Sequence, residues 1–123
     1  MNGKYNTSKV IEFCNAHNIN NDNYAGPYCN NYVFPDGVTT GYLMAPGQFL
    51  LLNSNKTAVN TCLSVIGKAQ LLITGNAADY WTSMLYDDSS PYFGSMSDNL
   101  ITASSSRQMT SSVPFVIPIA DYE

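Results

Sequence analysis

Residues that punctuate the backbone recur along this chain at intervals of about ten, a spacing that bounds segments of strand length. Pro35-Asp36-Gly37, Ala45-Pro46-Gly47, Asn53 to Lys56, Gly67-Lys68, Gly75-Asn76 and Asp87 to Pro91 each interrupt a run of apolar or β-prone residues. Between them lie 32–34, 38–44, 48–52, 57–66, 69–74, 79–86 and 95–102. In 57–66, Val59, Thr61, Leu63 and Val65 alternate onto one face, and the segment pairs on paper with 69–74 as a hairpin. In 79–86, Tyr80, Thr82, Met84 and Tyr86 oppose Trp81, Ser83 and Leu85. A single stretch, 7–18, reads as a helix: Thr7 or Ser8 caps it, and Val10, Phe13, Cys14 and His17 recur at three- and four-residue steps. The Asn-rich run from Asn18 to Asn23 ends it, because Asn and Asp compete with the helical backbone and tolerate left-handed geometry.

The expected fold is therefore mainly β: an antiparallel sandwich, jelly-roll-like, or a small barrel, with one short N-terminal helix. Its 123 residues suit one folding unit, with 1–31 as helix and Asn-rich arm and 32–123 as the β-rich domain. The C-terminal run Val113 to Ile119 carries Pro114 and Pro118 at the same parity, so both missing N–H donors lie on one side. Such a strand pairs fully on one side only and is expected at an edge, within the chain or on a neighbouring subunit.

Charge is scarce. Only 11% of residues are charged, with a net charge of −4, and polarity comes instead from 14 Asn, 13 Ser and 9 Thr. No basic footprint points to nucleic acid, and no apolar run approaches the length of a membrane span or of a signal-peptide core. The expectation is a chain that neither binds nucleic acid nor inserts in a membrane.

No catalytic constellation emerges. Cys14 and His17 share a helical face, but Cys29 and Cys62 lack ligand-type neighbours, so neither a zinc set nor a cysteine–histidine nucleophile is expected, and free thiols are. Asn18, Asn20 and Asp22 have the alternation of a calcium loop, yet Asn23 stands where the glycine belongs and Cys29 where the bidentate glutamate belongs. No metal, cofactor or enzymatic activity is expected.

What remains is the surface. Interfaces are depleted in charged side chains and enriched in Tyr, Trp, Phe and Met. The expected function is structural: self-association (a homo-oligomer, trimer or higher) and packing against a larger protein assembly. Tyr24, Tyr28, Tyr92, Met96, Phe115, Ile117 and Ile119 are the candidate contacts. Few charges, many Asn, Ser and Thr, and short strands give a texture similar to small β-rich virion proteins of phages. That similarity implies a capsid-decoration, head-fibre or tail component, localised to a virion or extracellular particle. The alternative is a carbohydrate-binding β-module, with Tyr80, Trp81 and Tyr92 as stacking faces and Asp88 and Asn99 as hydrogen-bonding partners.

Overall fold

The computed structural model describes residues 2–74, 78–87, 90–103 and 116–121, with the backbone alone at 85–87 and 90. Helix α1 runs Gly3–Ala16, earlier than the sequence suggests, because Asn2 caps it by accepting the Tyr5 N–H at 3.2 Å. Its inward stripe is Gly3, Thr7, Val10 and Cys14, the spacing of one helical face, while Phe13 and His17 lie outside. Thr7 is buried rather than capping: its hydroxyl donates to the Leu43 carbonyl at 3.3 Å and accepts the Leu43 N–H at 3.0 Å. At Gly3 the backbones come so close that a Cβ would fall 2.5 Å from Gln48 Oε1 and 2.6 Å from the Leu43 carbonyl oxygen. The helix ends as expected, with Asn18 at φ 56° and the Ile19 N–H reaching back to the Cys14 carbonyl at 2.9 Å.

The expected loop 18–31 contains a short helix, α2, Ala25–Asn31, which buries Ala25, Gly26, Pro27 and Cys29. The turn at Pro35-Asp36-Gly37 forms as read: Gly37 takes φ 78°, and Asp36 Oδ1 accepts the N–H groups of Val38 (3.0 Å) and Thr39 (2.8 Å).

The mainly β expectation fails between residues 46 and 67. The expected strands there are helices α3, Pro46–Ser54, and α4, Lys56–Val65. Pro46 is the first helical residue, where its fixed φ suits a helix and its missing N–H costs nothing. Gly67 adopts φ 70° after α4, and the N–H groups of Lys68 and Gly67 return to the carbonyls of Leu63 (2.8 Å) and Ser64 (3.1 Å). The residues of α4 turned inward are Lys56, Val59, Asn60 and Leu63, a helical set, while Val65 is 82% exposed. The expected hairpin partner, 69–74, is irregular. Side chains tie it down: Asn60 exchanges two hydrogen bonds with the Leu71 backbone, and the Tyr80 hydroxyl does the same with Leu72.

Strands β2 (Asp79–Asp87), β3 (Ser90–Ser95) and β4 (Leu100–Ala103) form an antiparallel meander, with Trp81 opposite Phe93 and Gly94 opposite Ile101. The expected strand 95–102 is thus split by a turn, with Asn99 at φ 56°. A second sheet pairs β1 (Tyr42–Leu43) with β5 (Pro118–Ile119), so among the described residues the end of the expected C-terminal strand pairs on one side, within the chain, while 113–115 lie outside the described residues.

Successive side chains of β2 point to opposite faces, and at Trp81 and Tyr80 each face enters a core cluster. Trp81 packs with Ala25, Cys29, Leu43 and Phe93, its ring edge-on to Phe93 with centroids 6.0 Å apart. Tyr80 packs with Met44, Phe49, Ala78 and Met96. The fold among the described residues is thus mixed, four helices around sheets of two and three strands, and neither a sandwich nor a barrel. The all-β assignment is withdrawn, and so is the phage virion and capsid-decoration assignment that leaned on a β-rich texture. No helix among the described residues is long and apolar enough to cross a membrane.

Candidate functional site

Helix α1 is flanked by two concavities of opposite chemistry. Along its middle runs an open groove of about 760 Å³, for which α1 supplies Asn6, Lys9, Val10, Phe13 and Cys14. Ile19 and Tyr24 continue it from the α1–α2 connection, Gly26 and Pro27 from the start of α2, and Ser83 and Met84 from β2. Its most exposed apolar members are Phe13, at 57%, and Met84, at 40%. Because both are already about half-buried, completing their burial against a partner is worth about half of the roughly 1.5–3 kcal/mol that full burial of such a side chain brings. One face of the Phe13 ring is stacked on His17, with centroids 4.0 Å apart. Polar groups at the rim are already committed: Lys9 pairs with Glu12 at 2.9 Å, and Asn6 Nδ2 donates to Ser83 Oγ at 3.1 Å, tying α1 to β2.

At the N-terminal end of α1 opens a cleft of about 810 Å³, bounded by Lys4, Thr7 and Ser8, by the 34–42 turn, and by Ala120 and Asp121. Here Tyr42 donates its hydroxyl to Asp121 at 2.7 Å, Lys4 donates to Asp121 at 3.3 Å, and Gln48 Nε2 donates to the Tyr42 oxygen at 3.2 Å. The Tyr42 and Lys4 hydrogen bonds hold the Asp121 carboxyl below the usual carboxylate range. The hydrogen bonds from Thr39 and Val38 do the same for Asp36.

The structure distributes the sequence candidates unevenly. Tyr24 is half-buried and lines the groove. Tyr28 is half-buried against the Trp81 cluster; Ile117 and Ile119 pack against the Tyr80 cluster. Tyr92 is half-buried on β3. Met96 is a correction: at 0% exposure it is core and offers no contact surface. Phe115 and Asp88 lie outside the described residues. The stacking faces assigned to Tyr80 and Trp81 are also corrected, because both rings are buried, at 4% and 0% exposure, and present nothing to a sugar. Asn99 is exposed but already accepts from Lys56 (2.7 Å) and Asn53 (3.2 Å).

The recurrence of Val10, Phe13, Cys14 and His17 reads as one face of α1, yet Phe13 lies outside, and no motif in the sequence singles out Met84 as a wall. The signal available for Met84 was its place on an apolar strand face beside tyrosines. The thiols separate as well: Cys14 and Cys29 are buried and free, and Cys62 is exposed. Burial pushes the Cys14 thiol up, and that of Cys29 to about 12. His17 does not join Cys14, since its Nδ1 lies 2.9 Å from the Phe13 carbonyl oxygen. In the candidate calcium loop, Asp22 accepts from Asn31 at 3.0 Å and Asn20 donates to Asn15 at 2.7 Å, both bonds serving the local turn. Among the described residues, no three His, Cys, Asp or Glu side chains converge as a metal set.

Comparison with protein-family models, with curated proteins and with solved structures finds no match to this chain.

Proposed function

We propose that the protein works without catalysis, by packing the apolar groove beside α1 against a protein surface, with a second copy of this chain as the first occupant. The observation that carries this reading is a concave surface whose most exposed apolar members, Phe13 and Met84, belong to the residue types enriched in interfaces. Tyr24 adds a third such residue to the same wall. Two of the three thiols are withdrawn from solvent. Cys14 and Cys29 hold protonated thiols in the core, which are poor nucleophiles.

Light-scattering mass measured from about 1 µM to about 1 mM spans the range of weak to moderate self-association. The expected result is a mass that rises with concentration for the wild type and stays monomeric for Phe13→Glu. Phe13 lies outside the core, so this substitution is expected to leave stability within about 0.5 kcal/mol. A wild type that is monomeric throughout contradicts the reading, as does a variant that associates equally well. Leu51 on α3 and Val65 on α4 are also exposed, at 68% and 82%, and serve as the control surface. Loss of association in Leu51→Glu/Val65→Glu, but not in Phe13→Glu, places the contact elsewhere and overturns the assignment to the groove.

A further inference from the structure

We infer that the polar cleft at the N-terminal end of α1 is a binding site for a neutral saccharide ring. Its volume of about 810 Å³ lies in the range of small-molecule sites. One wall is apolar, from Phe34 and Pro35; the others carry hydroxyl, amide and carboxylate groups, from Ser8, Asn30, Thr39 and Thr40 to the two aspartates. A pyranose has this division of surface, with an apolar C–H face and a rim of hydroxyls that both donate and accept.

The charges in the cleft argue for a neutral ligand. Lys4 is spent on Asp121, and Asp121 also accepts from Tyr42. Asp36 accepts from the Val38 and Thr39 N–H groups and from the Thr39 hydroxyl. The lining sets one ammonium against two carboxylates, which disfavours an anion, and each of these charges is already hydrogen-bonded, so a neutral ligand binds without breaking a pair. An ionised carboxylate has about four acceptor sites. Asp121 uses two, on Tyr42 and Lys4, and so keeps capacity for ligand hydroxyls. The wall is also preorganised. The 34–39 turn is closed by the Phe34 N–H to the Thr39 carbonyl at 2.9 Å and continued by the Val33–Thr40 bridge, so little order must be created on binding. This site stands apart from the groove and does not depend on the proposed function.

The test is an amide-resolved NMR titration of the full chain with D-glucose, D-galactose, N-acetylglucosamine and maltose, and with inorganic phosphate and acetate as charged probes. The account expects saturable shifts of the Thr39, Thr40, Gly41 and Asp121 amides from at least one sugar, with millimolar affinity. Thr40→Trp fills the cleft from an exposed position, and is expected to weaken binding at least about tenfold. Phe34→Leu keeps apolar bulk but removes the ring, and is expected to weaken binding in the same direction, which keeps the test decisive if the Trp variant misfolds. Phe13→Glu is expected to leave sugar binding unchanged. The inference is overturned if no sugar gives a saturable shift up to about 20 mM. It is also overturned if folded Thr40→Trp binds as the wild type does, or if phosphate or acetate binds in preference to every sugar.

Discussion

The groove and the cleft share one helix and little else. Both are cut along α1, the groove using Asn6, Lys9, Val10 and Phe13 and the cleft using Lys4, Thr7 and Ser8. Helix positions three and four apart form each flank, so neighbouring residues such as Ser8 and Lys9 serve different concavities. The difference in chemistry comes from what packs beside the helix. Next to the groove lie Tyr24, Pro27 and Met84; next to the cleft lie the aspartate-closed turn and Asp121. One rigid element thus supplies shape to both, while the neighbouring segments decide whether an apolar or a hydroxylated partner is suited to each.

The most direct way to break this comparison is to unseat the shared helix. Gly3→Ala places a Cβ within 2.8 Å of Gln48, Leu43 and Ala45, two of those contacts being backbone. Overpacking of this kind costs typically 1–3 kcal/mol, and the upper end, about 3 kcal/mol, is expected here because backbone does not yield. Urea unfolding reads the loss, and both association and sugar binding should weaken together. An effect on one alone would show that the two concavities do not depend on a common seat.

A smaller effect sharpens the contrast from the cleft side. The Asp121 carboxyl is held below its ordinary range by Tyr42 and Lys4. A depressed folded value means that the stabilisation is complete above the unfolded carboxylate value, about 3.9, and is lost as pH falls through the folded one. Asp121→Asn removes this linkage. The stability gap between wild type and variant, measured by urea unfolding at pH 7 and at successively lower pH, should close below about pH 4. A gap that is constant with pH would show that the carboxylate does not contribute. The change should be modest, because the Lys4 and Asp121 side chains are 66% and 52% exposed and solvent screens the pair.

Parts of this molecule are legible in its residues, and the reasons for the rest are physical. Asn18 ends α1 and Pro35-Asp36-Gly37 turns the chain because each act is local, set by side-chain hydrogen bonding and positive φ. Strand β2 is legible because Tyr80, Trp81, Thr82 and Tyr86 are strand-favouring residue types that alternate with their neighbours between two faces. The segment 46–67 misleads because Pro and Gly punctuate helices as well as strands. Pro46 opens α3 and Gly67 closes α4, and only the burial of Val59, Asn60 and Leu63 together separates a helix from the alternation of Val59, Thr61, Leu63 and Val65. Phe13 was misplaced for a related reason. Which side of α1 faces the core depends on Thr7 engaging Leu43, a contact 36 residues away that no local pattern encodes. Tyr24 is singled out by residue type alone; the groove it lines is not legible, because it needs β2 to deliver Met84 beside α1.

Hydrogen exchange followed as a function of protein concentration tests the central claim most directly, that the groove is the contact surface. The account predicts that, as concentration rises, protection grows at 6–14, 19–27 and 83–84, and that 50–51 and 65–66 are unaffected. Protection that grows at 50–51 and 65–66 while the groove segments stay unchanged would contradict it.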